Sequence, residues 1–377
     1  MKKFYLTSLI LLLFYQTTVF CQTTFSFQHN GINRTYILFV PENNVKGEAM
    51  PLLLALHGFT QNGQTMMQLS GFNDLASEYN FVVAYPYGVG TSWNVGVTGG
   101  STADDVGFLS VLIDSIAMKT TIDQNRVYAT GFSNGGFMSY RLACEASTRI
   151  AAIASVAGTM AVATANACFA ERAVPVMHIH GTSDFIVPYN GNGSFQSVNA
   201  TMEYWNTQNG CPSDPTLFTY PDIVSEGSTV EASVWDSCNN ETENRLLRII
   251  NGGHTWPGNS GSGGIGITNM DISASAEIWT FLSRFSLSSP VGITTFHGKQ
   301  PFTVTPNPYS SGLLSLFCDA TEATLKIVDI HGRLRVSRQI NFSNGKAFYN
   351  PEPLEKGLYL LVLSTGKTQS STKLIVW

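Results

Sequence analysis

Apolar residues follow two rhythms along this chain. Segments 24–28 (T-F-S-F-Q) and 34–40 (R-T-Y-I-L-F-V) alternate, as strands with one covered face do. Asn30-Gly31 between them predicts a tight hairpin turn. Segments 51–58 (P-L-L-L-A-L-H-G) and 81–86 (F-V-V-A-Y-P) are unbroken apolar runs, the pattern of strands buried on both faces. Between them, 66–79 predicts a helix. Segment 104–116 (D-D-V-G-F-L-S-V-L-I-D-S-I) has apolar residues at helical spacing, with Asp104 or Asp105 placed to cap its start. Segments 126–130, 151–157, 174–181 and 246–250 continue the strand series, 134–144 is helix-competent, and 272–285 predicts a closing helix. Strands alternating with helices predict an α/β domain with a mostly parallel sheet.

The rhythm changes near Leu287. The stretch 288–301, opening S-S-P-V-G-I-T, reads as a linker. From 302 to 377 short strands alternate with turns: 324–329, 334–340, 346–349, 358–363 and 373–377, punctuated by His331-Gly332, Asn344-Gly345 and Lys356-Gly357. This predicts a separate small antiparallel β-sandwich.

Composition adds an address. Only 12% of residues are charged and 34 are Gly, which suits an exported, loop-rich globular protein. Residues 1–290 hold 12 Lys+Arg against 21 Asp+Glu, whereas 291–377 hold 9 against 5. An acidic main body argues against nucleic acid as a partner. Lys2 and Lys3 followed by the apolar run 6–14 read as a signal peptide over 1–21. That run is too short to span a bilayer, and no later segment is suited to do so. Cys21 is also where a lipid would attach, but bulky Phe20 precedes it.

The candidate chemistry centres on G-F-S-N-G at 131–135, which follows a strand and opens a helix. A serine at such a turn is exposed to attack a carbonyl, and Gly131, Gly135 and Gly136 give the room that the turn needs. A serine hydroxyl needs a base and an oxyanion trap. Asp184 follows the strand ending near His180, and His254 follows the strand 246–250, giving the chain order Ser133, Asp184, His254. Singly, Asp184 could be a turn cap and His254 a loop histidine; the three together, each after a strand, predict a triad. The oxyanion donors expected are the backbone N–H groups of Asn134 and Phe59, with Thr60 next, and His57 is expected to shape that loop. His178 and His180 share one face of a strand but lack a carboxylate or cysteine at a ligand spacing, so no metal is expected and packing beneath the acid loop is. Trp93 and Trp256, beside loop ends, are candidates for a substrate platform, with plain packing equally open.

Six cysteines occur, with no C-x-x-C pair, which argues against zinc ribbons and thioredoxin-like chemistry. The four between signal and tail allow three pairings. In an oxidising compartment the sequence-local pairing is expected, Cys144 with Cys168 and Cys211 with Cys238.

With L-H-G-F-T-Q (56–61), D-D-V-G-F-L (104–109), G-F-S-N-G-G (131–136), H-I-H-G-T-S-D-x-x-V-P-Y (178–189) and G-G-H-T-W-P-G (252–258) in this order, the stretch from about 25 to 285 resembles the secreted feruloyl esterase and polyhydroxybutyrate depolymerase-like family. The resemblance implies an α/β-hydrolase fold over 22–287, a serine esterase with Ser133, Asp184 and His254 as triad, and support for the Cys211–Cys238 pair. T-P-N-P (305–308), V-D-I-H-G-R (328–333), L-E-K-G-L-Y-L-L (354–361) and K-L-I-V (373–376) resemble the C-terminal sorting domain of the type IX secretion system of Bacteroidetes. That implies export through the periplasm and release or display at the cell surface.

The expectation is therefore a secreted serine esterase working through an acyl-enzyme, with no cofactor. Its substrates would be feruloyl or acetyl esters of plant polysaccharide, or alternatively a hydroxybutyrate polyester. A non-catalytic surface binding protein on a hydrolase fold, or a carbohydrate-binding tail, are the rivals of another class.

Overall fold

Asn30 and Gly31 both take positive φ, 49° and 76°, and close the hairpin between β1 (Gln22–His29) and β2 (Ile32–Phe39). The computed structural model describes residues 22–42, 48–261, 264–287, 302–318, 320–329, 334–351, 353–365 and 368–376. The expected signal at 1–21, the linker at 288–301 and the His331-Gly332 turn lie outside the described residues. The chain divides into two units, Met1–Leu287 and Ser288–Trp377.

The sheet of the first unit continues with β3 (Met50–Leu56), β4 (Val82–Pro86), β5 (Ile122–Phe132), β6 (Ala152–Val156), β7 (Val176–Gly181), β8 (Thr216–Thr219), β9 (Thr229–Trp235) and β10 (Asn244–Ile250). Their order is β1-β2-β4-β3-β5-β6-β7-β10-β9-β8. From β4 through β3, β5, β6 and β7 to β10 every pair is parallel; β1, β2, β9 and β8 add antiparallel edges. This is the α/β-hydrolase order, and it brings the carboxyl ends of β3, β5, β7 and β10 to one edge, where ligands of open α/β sheets bind.

Helices α1 (Gly63–Ser70), α2 (Phe72–Tyr79), α3 (Asp105–Ala117), α4 (Asn134–Glu145), α5 (Val162–Ala167), α6 (Val198–Gln208) and α7 (Ala274–Leu282) complete the unit. The single helix expected over 66–79 is two, because Gly71 takes φ 61° and at once ends α1 and begins α2. The central strands are buried on both faces and split their side chains by alternation. Leu52, Leu54 and Leu56 pack with Phe108 and Leu112 of α3 and Met138 of α4. Leu53 and Ala55 pack on the other side with Met66, Phe72, Ile278 and Trp279 of α1, α2 and α7. Disulfides join Cys144 at the end of α4 to Cys168, and Cys211 after α6 to Cys238 after β9. No described helix is long and apolar enough to cross a membrane.

The second unit has a three-stranded sheet (Thr303–Thr305, Leu314–Phe317, Lys346–Tyr349) and a four-stranded one (Glu322–Asp329, Leu334–Asn341, Gly357–Thr365, Thr368–Val376). All pairs are antiparallel, and the sheets share one core containing Leu316, Leu325, Leu361 and Leu374.

Candidate active site

Ser133 stands between β5 and α4 with φ 53° and ψ −116°, a conformation that a residue with a side chain adopts only where its surroundings enforce it. The enforcement is close packing. Its N–H donates to Val156 O at 2.8 Å, and its carbonyl accepts the first α4 bond from Phe137 at 3.0 Å. A Cβ on Gly131 would lie 2.3 Å from Gly135 C, and one on Gly135 would lie 2.1 Å from Leu56 O. The two glycines of the motif are therefore steric necessities of strand, turn and helix meeting so tightly.

Asp184 and His254 come from the loops after β7 and β10, 70 residues apart in sequence. His254 Nδ1 donates to Asp184 Oδ2 at 2.7 Å. The other carboxylate oxygen accepts from the N–H groups of Ile186 (2.9 Å) and Val187 (2.8 Å), which fixes the plane of the acid. Burial alone would raise the Asp184 pKa, but hydrogen bonds from His180 and His254 outweigh it and hold the acid well below the usual carboxylate range. The His254 ring packs 4.9 Å from Phe132, the residue just before Ser133. Backbone bonds between His254 and Ile265 hold its loop as a small bridge.

Two backbone N–H groups near Ser133 are left without an acceptor among the described residues. Asn134 is the first residue of α4, where helical N–H groups have no partner. In the loop after β3, Gly58 N–H is taken by Gln61 Oε1 (2.9 Å), Thr60 N–H by Thr91 O (2.9 Å) and Gln61 N–H by Gly58 O (3.2 Å). Phe59 keeps its N–H. Thr60, the other candidate, is corrected: its amide is already spent.

His57 is fully buried and braces this loop. Its Nδ1–H donates to Gly58 O (2.8 Å), and its Nε2 accepts from Gly88 N (2.9 Å), so the ring is a neutral clamp between two loops. Burial lowers its pKa to about 4, against the smaller raising effect of its bond to Gly58 O.

Trp93 and Trp256 are corrected as substrate contacts, since both are buried, at 0% and 1% exposure. Trp93 Nε1 donates to His57 O (2.9 Å), and its backbone N–H donates to Asn134 Oδ1 (2.6 Å). Trp256 packs against Phe72 and Phe132 and donates to Ser275 Oγ. The loop after β4 that holds Trp93 is anchored by an ion pair that no local sequence pattern announces. Asp104 caps α3, accepting from Gly107 N, but Asp105 binds Arg34 (2.6 Å) and Asn94 N (2.7 Å), with both charges buried and Arg34 over the Phe108 ring.

Beside Ser133 lies a cavity of about 210 Å³, lined by Val95, Val97, Phe137, Val187 and Phe195 and bordered by Phe59 and Ile186. Among the described residues no charged side chain lines it. Phe137, Val187 and Phe195 do not stand out in the sequence, because apolar residues of this kind read as ordinary core.

Two family matches fall in the two units. Residues 101–210 match the Phospholipase/Carboxylesterase family, and residues 303–377 match the secretion system C-terminal sorting domain. The chain is 29% identical over 289 residues to a bifunctional acetylxylan esterase/xylanase of Neocallimastix patriciarum, covering 76% of this chain and 38% of that protein. It is 30% identical over 269 residues to feruloyl esterase B of Piromyces equi, covering 67% and 46%. The chain thus spans less than half the length of these two relatives. Among solved structures it is similar to an acetyl xylan esterase from Aspergillus awamori, with a TM-score of 0.49 at 18% identity over 62% of this chain and 94% of that one.

Proposed function

We propose that this chain, whose first unit is an α/β-hydrolase similar to feruloyl and acetylxylan esterases and whose second matches a secretion sorting domain, hydrolyses carboxylic esters by way of an acyl-enzyme on Ser133. The observation that carries the reading is the 2.7 Å bond from His254 Nδ1 to Asp184, with the His254 ring packed beside the elbow residue Phe132. That bond leaves His254 Nε2 as the free base. It takes the Ser133 proton as the hydroxyl attacks the ester carbonyl, and later returns it to the departing alcohol. Asp184 stabilises the imidazolium between these steps. The unpartnered N–H groups of Asn134 and Phe59 receive the oxyanion. Water then attacks the acyl-enzyme by the same route.

The cavity suggests which acyl groups. Its apolar, uncharged wall suits an aromatic or short aliphatic acyl group and disfavours a charged one. A feruloyl group would fill much of about 210 Å³, whereas acetyl would leave most of it empty. Feruloyl esters of plant polysaccharide are therefore the first choice, with acetyl esters as poorer substrates. A polyester of hydroxybutyrate type is a second reading. It is favoured by exposed Phe59, Phe185, Ile186 and Ile265, all adjacent in chain or contact to site residues. The sorting domain would pass the enzyme from the periplasm through type IX machinery to the cell surface or medium. Assay of one purified sample on methyl ferulate, acetylated xylan and hydroxybutyrate oligomer tests the assignment: methyl ferulate is expected to give the highest kcat/KM, and activity on none of the three would reject it.

A further inference from the structure

Behind Asp184 lies a file of buried polar side chains that the proposed reaction does not use. Tyr140 Oη is 2.7 Å from His178 Nδ1, His178 Nε2 is 3.1 Å from His180 Nδ1, and His180 Nε2 is 2.8 Å from Val187 O and 3.3 Å from Asp184 Oδ2. The two imidazoles stack, with centroids 5.1 Å apart and planes 13° off parallel. All three side chains are at most 1% exposed. Three buried polar residues on α4 and β7 are expensive unless each is satisfied.

Only one placement of protons satisfies every donor. Val187 O is an acceptor, so His180 Nε2 carries hydrogen. Tyr140 Oη has His178 as its hydrogen-bond partner, so its proton points to Nδ1. His178 then carries hydrogen on Nε2 and donates to His180 Nδ1. Burial, and then repulsion from His180, pushes His178 well below the usual imidazole range, which keeps it in this neutral form. Burial likewise raises Tyr140 far above the ordinary phenol value, so it remains a donor. The file runs in one direction and ends at Val187 O, whose own residue donates its N–H to Asp184 Oδ1, with Asp184 Oδ2 a further 3.3 Å contact of the same His180 N–H. Successive bonds aligned like this strengthen one another.

We propose that Tyr140, His178 and His180 form a directed hydrogen-bond file that positions Asp184 and competes with His254 for its Oδ2 charge. The inference rests on the triad reading above. His180 is a positioning residue here, since it acts through Asp184. By drawing on the carboxylate, its N–H weakens the preference of Asp184 for an imidazolium at His254. Loss of that N–H is therefore expected to raise the pH at which activity falls on the acid side. The other titratable groups facing His180 are Tyr189, edge-on at 5.9 Å, and beyond Tyr189 the surface pair Arg248 and Glu231.

The test is the pH dependence of kcat/KM on a soluble 4-nitrophenyl ester, whose acid limb reports protonation of the base in the free enzyme. His180→Met removes the N–H that binds Val187 O and lies 3.3 Å from Asp184 Oδ2, and the acid limb is expected to move up by roughly half a pH unit or more. His180→Gln keeps an N–H near the Nε2 position and is expected to restore most of the wild-type limb. Tyr140→Phe removes only the far end and is expected to shift the limb in the same direction by less. A purely packing role would lower kcat without moving the limb, so a His180→Met limb that superposes on wild type overturns the proposal. Should His180→Met fail to fold, an unmoved limb in Tyr140→Phe overturns it instead. Ser133→Ala separates the two levels: turnover surviving in that variant sinks the triad reading, whereas a dead Ser133→Ala with unmoved limbs sinks only the file.

Discussion

The backbone N–H of Trp93 donates to Asn134 Oδ1 at 2.6 Å, tying the loop after β4 to the first residue of the helix that follows Ser133. The same tryptophan donates its indole N–H to His57 O, beside Phe59. One buried residue, through its backbone and its indole, thus ties together the loop after β3 and the start of α4, whose N–H groups are proposed to bind the oxyanion. Asn134→Ala keeps the backbone donor but frees its position. It is expected to lower kcat by roughly 10- to 100-fold with little change in KM, since the interaction matters most in the transition state. Steady-state kinetics on methyl ferulate would show this, and an unchanged kcat would disprove the bracing role.

His57 makes part of the stability pH-dependent. Its folded pKa of about 4 lies below the ordinary value of 6.5, so between these pH values the unfolded chain binds a proton that the folded one does not. Stability is therefore lost as pH falls from 6.5 toward 4. From pH 7 to pH 5 the loss from this group is about 2 kcal/mol. Urea unfolding of wild type and His57→Gln at both pH values isolates it: the stability difference between them is expected to shrink in favour of the variant at pH 5. A gap independent of pH would contradict the buried neutral clamp.

The disulfides close loops of 24 and 27 residues in sequence separation. By chain entropy each stabilises the fold by about 3–4 kcal/mol. Replacing Cys211 and Cys238 together with Ala is expected to lower the unfolding free energy by that order while leaving kcat near wild type, because the bridge lies at the α6–β9 side and not among the triad loops. Chemical denaturation and ester assay on the oxidised pair and the double variant check both halves.

Much of this is legible in the sequence, and what is not has physical reasons. The parallel strands are readable because an unbroken apolar run of five to eight residues fits little but a strand covered on both faces. The elbow is readable because G-x-S-x-G between a strand and a helix fits little but a tight turn. Gly71 does not announce itself as a breaker, because a lone glycine within a helical pattern is often tolerated, and only its φ of 61° shows that it ends one helix and starts another. Strand β9 alternates Val230, Ala232 and Val234 and is readable in retrospect, whereas β8 is exposed throughout and carries no period. Asp105 reads as a helix cap in any sequence; its ion pair with Arg34 spans 71 residues and no local pattern records it. Trp93 and Trp256 look like substrate platforms for the same reason, since burial is a property of the whole fold.

The first unit ends by anchoring itself. Leu287 N–H donates to Asn125 O, and Tyr128 Oη donates to Phe285 O, so the last turns are bonded to β5. A chain stopped after Leu287 is expected to be soluble and to hydrolyse small esters at the full-length rate. In its native host it is expected to remain in the periplasm. An insoluble or inactive product would make the second unit a structural partner of the first; loss of polysaccharide binding alone would make it a binding module.

Acylation of Ser133 is the step on which the proposed reaction depends. Incubation of the full chain with a fluorophosphonate probe, followed by intact mass and peptide mapping, addresses it directly. A single adduct on Ser133 is expected, absent from Ser133→Ala, with ester hydrolysis lost in step with labelling. An adduct on another residue, or ester turnover persisting at wild-type level in Ser133→Ala, would contradict an acyl-enzyme on Ser133.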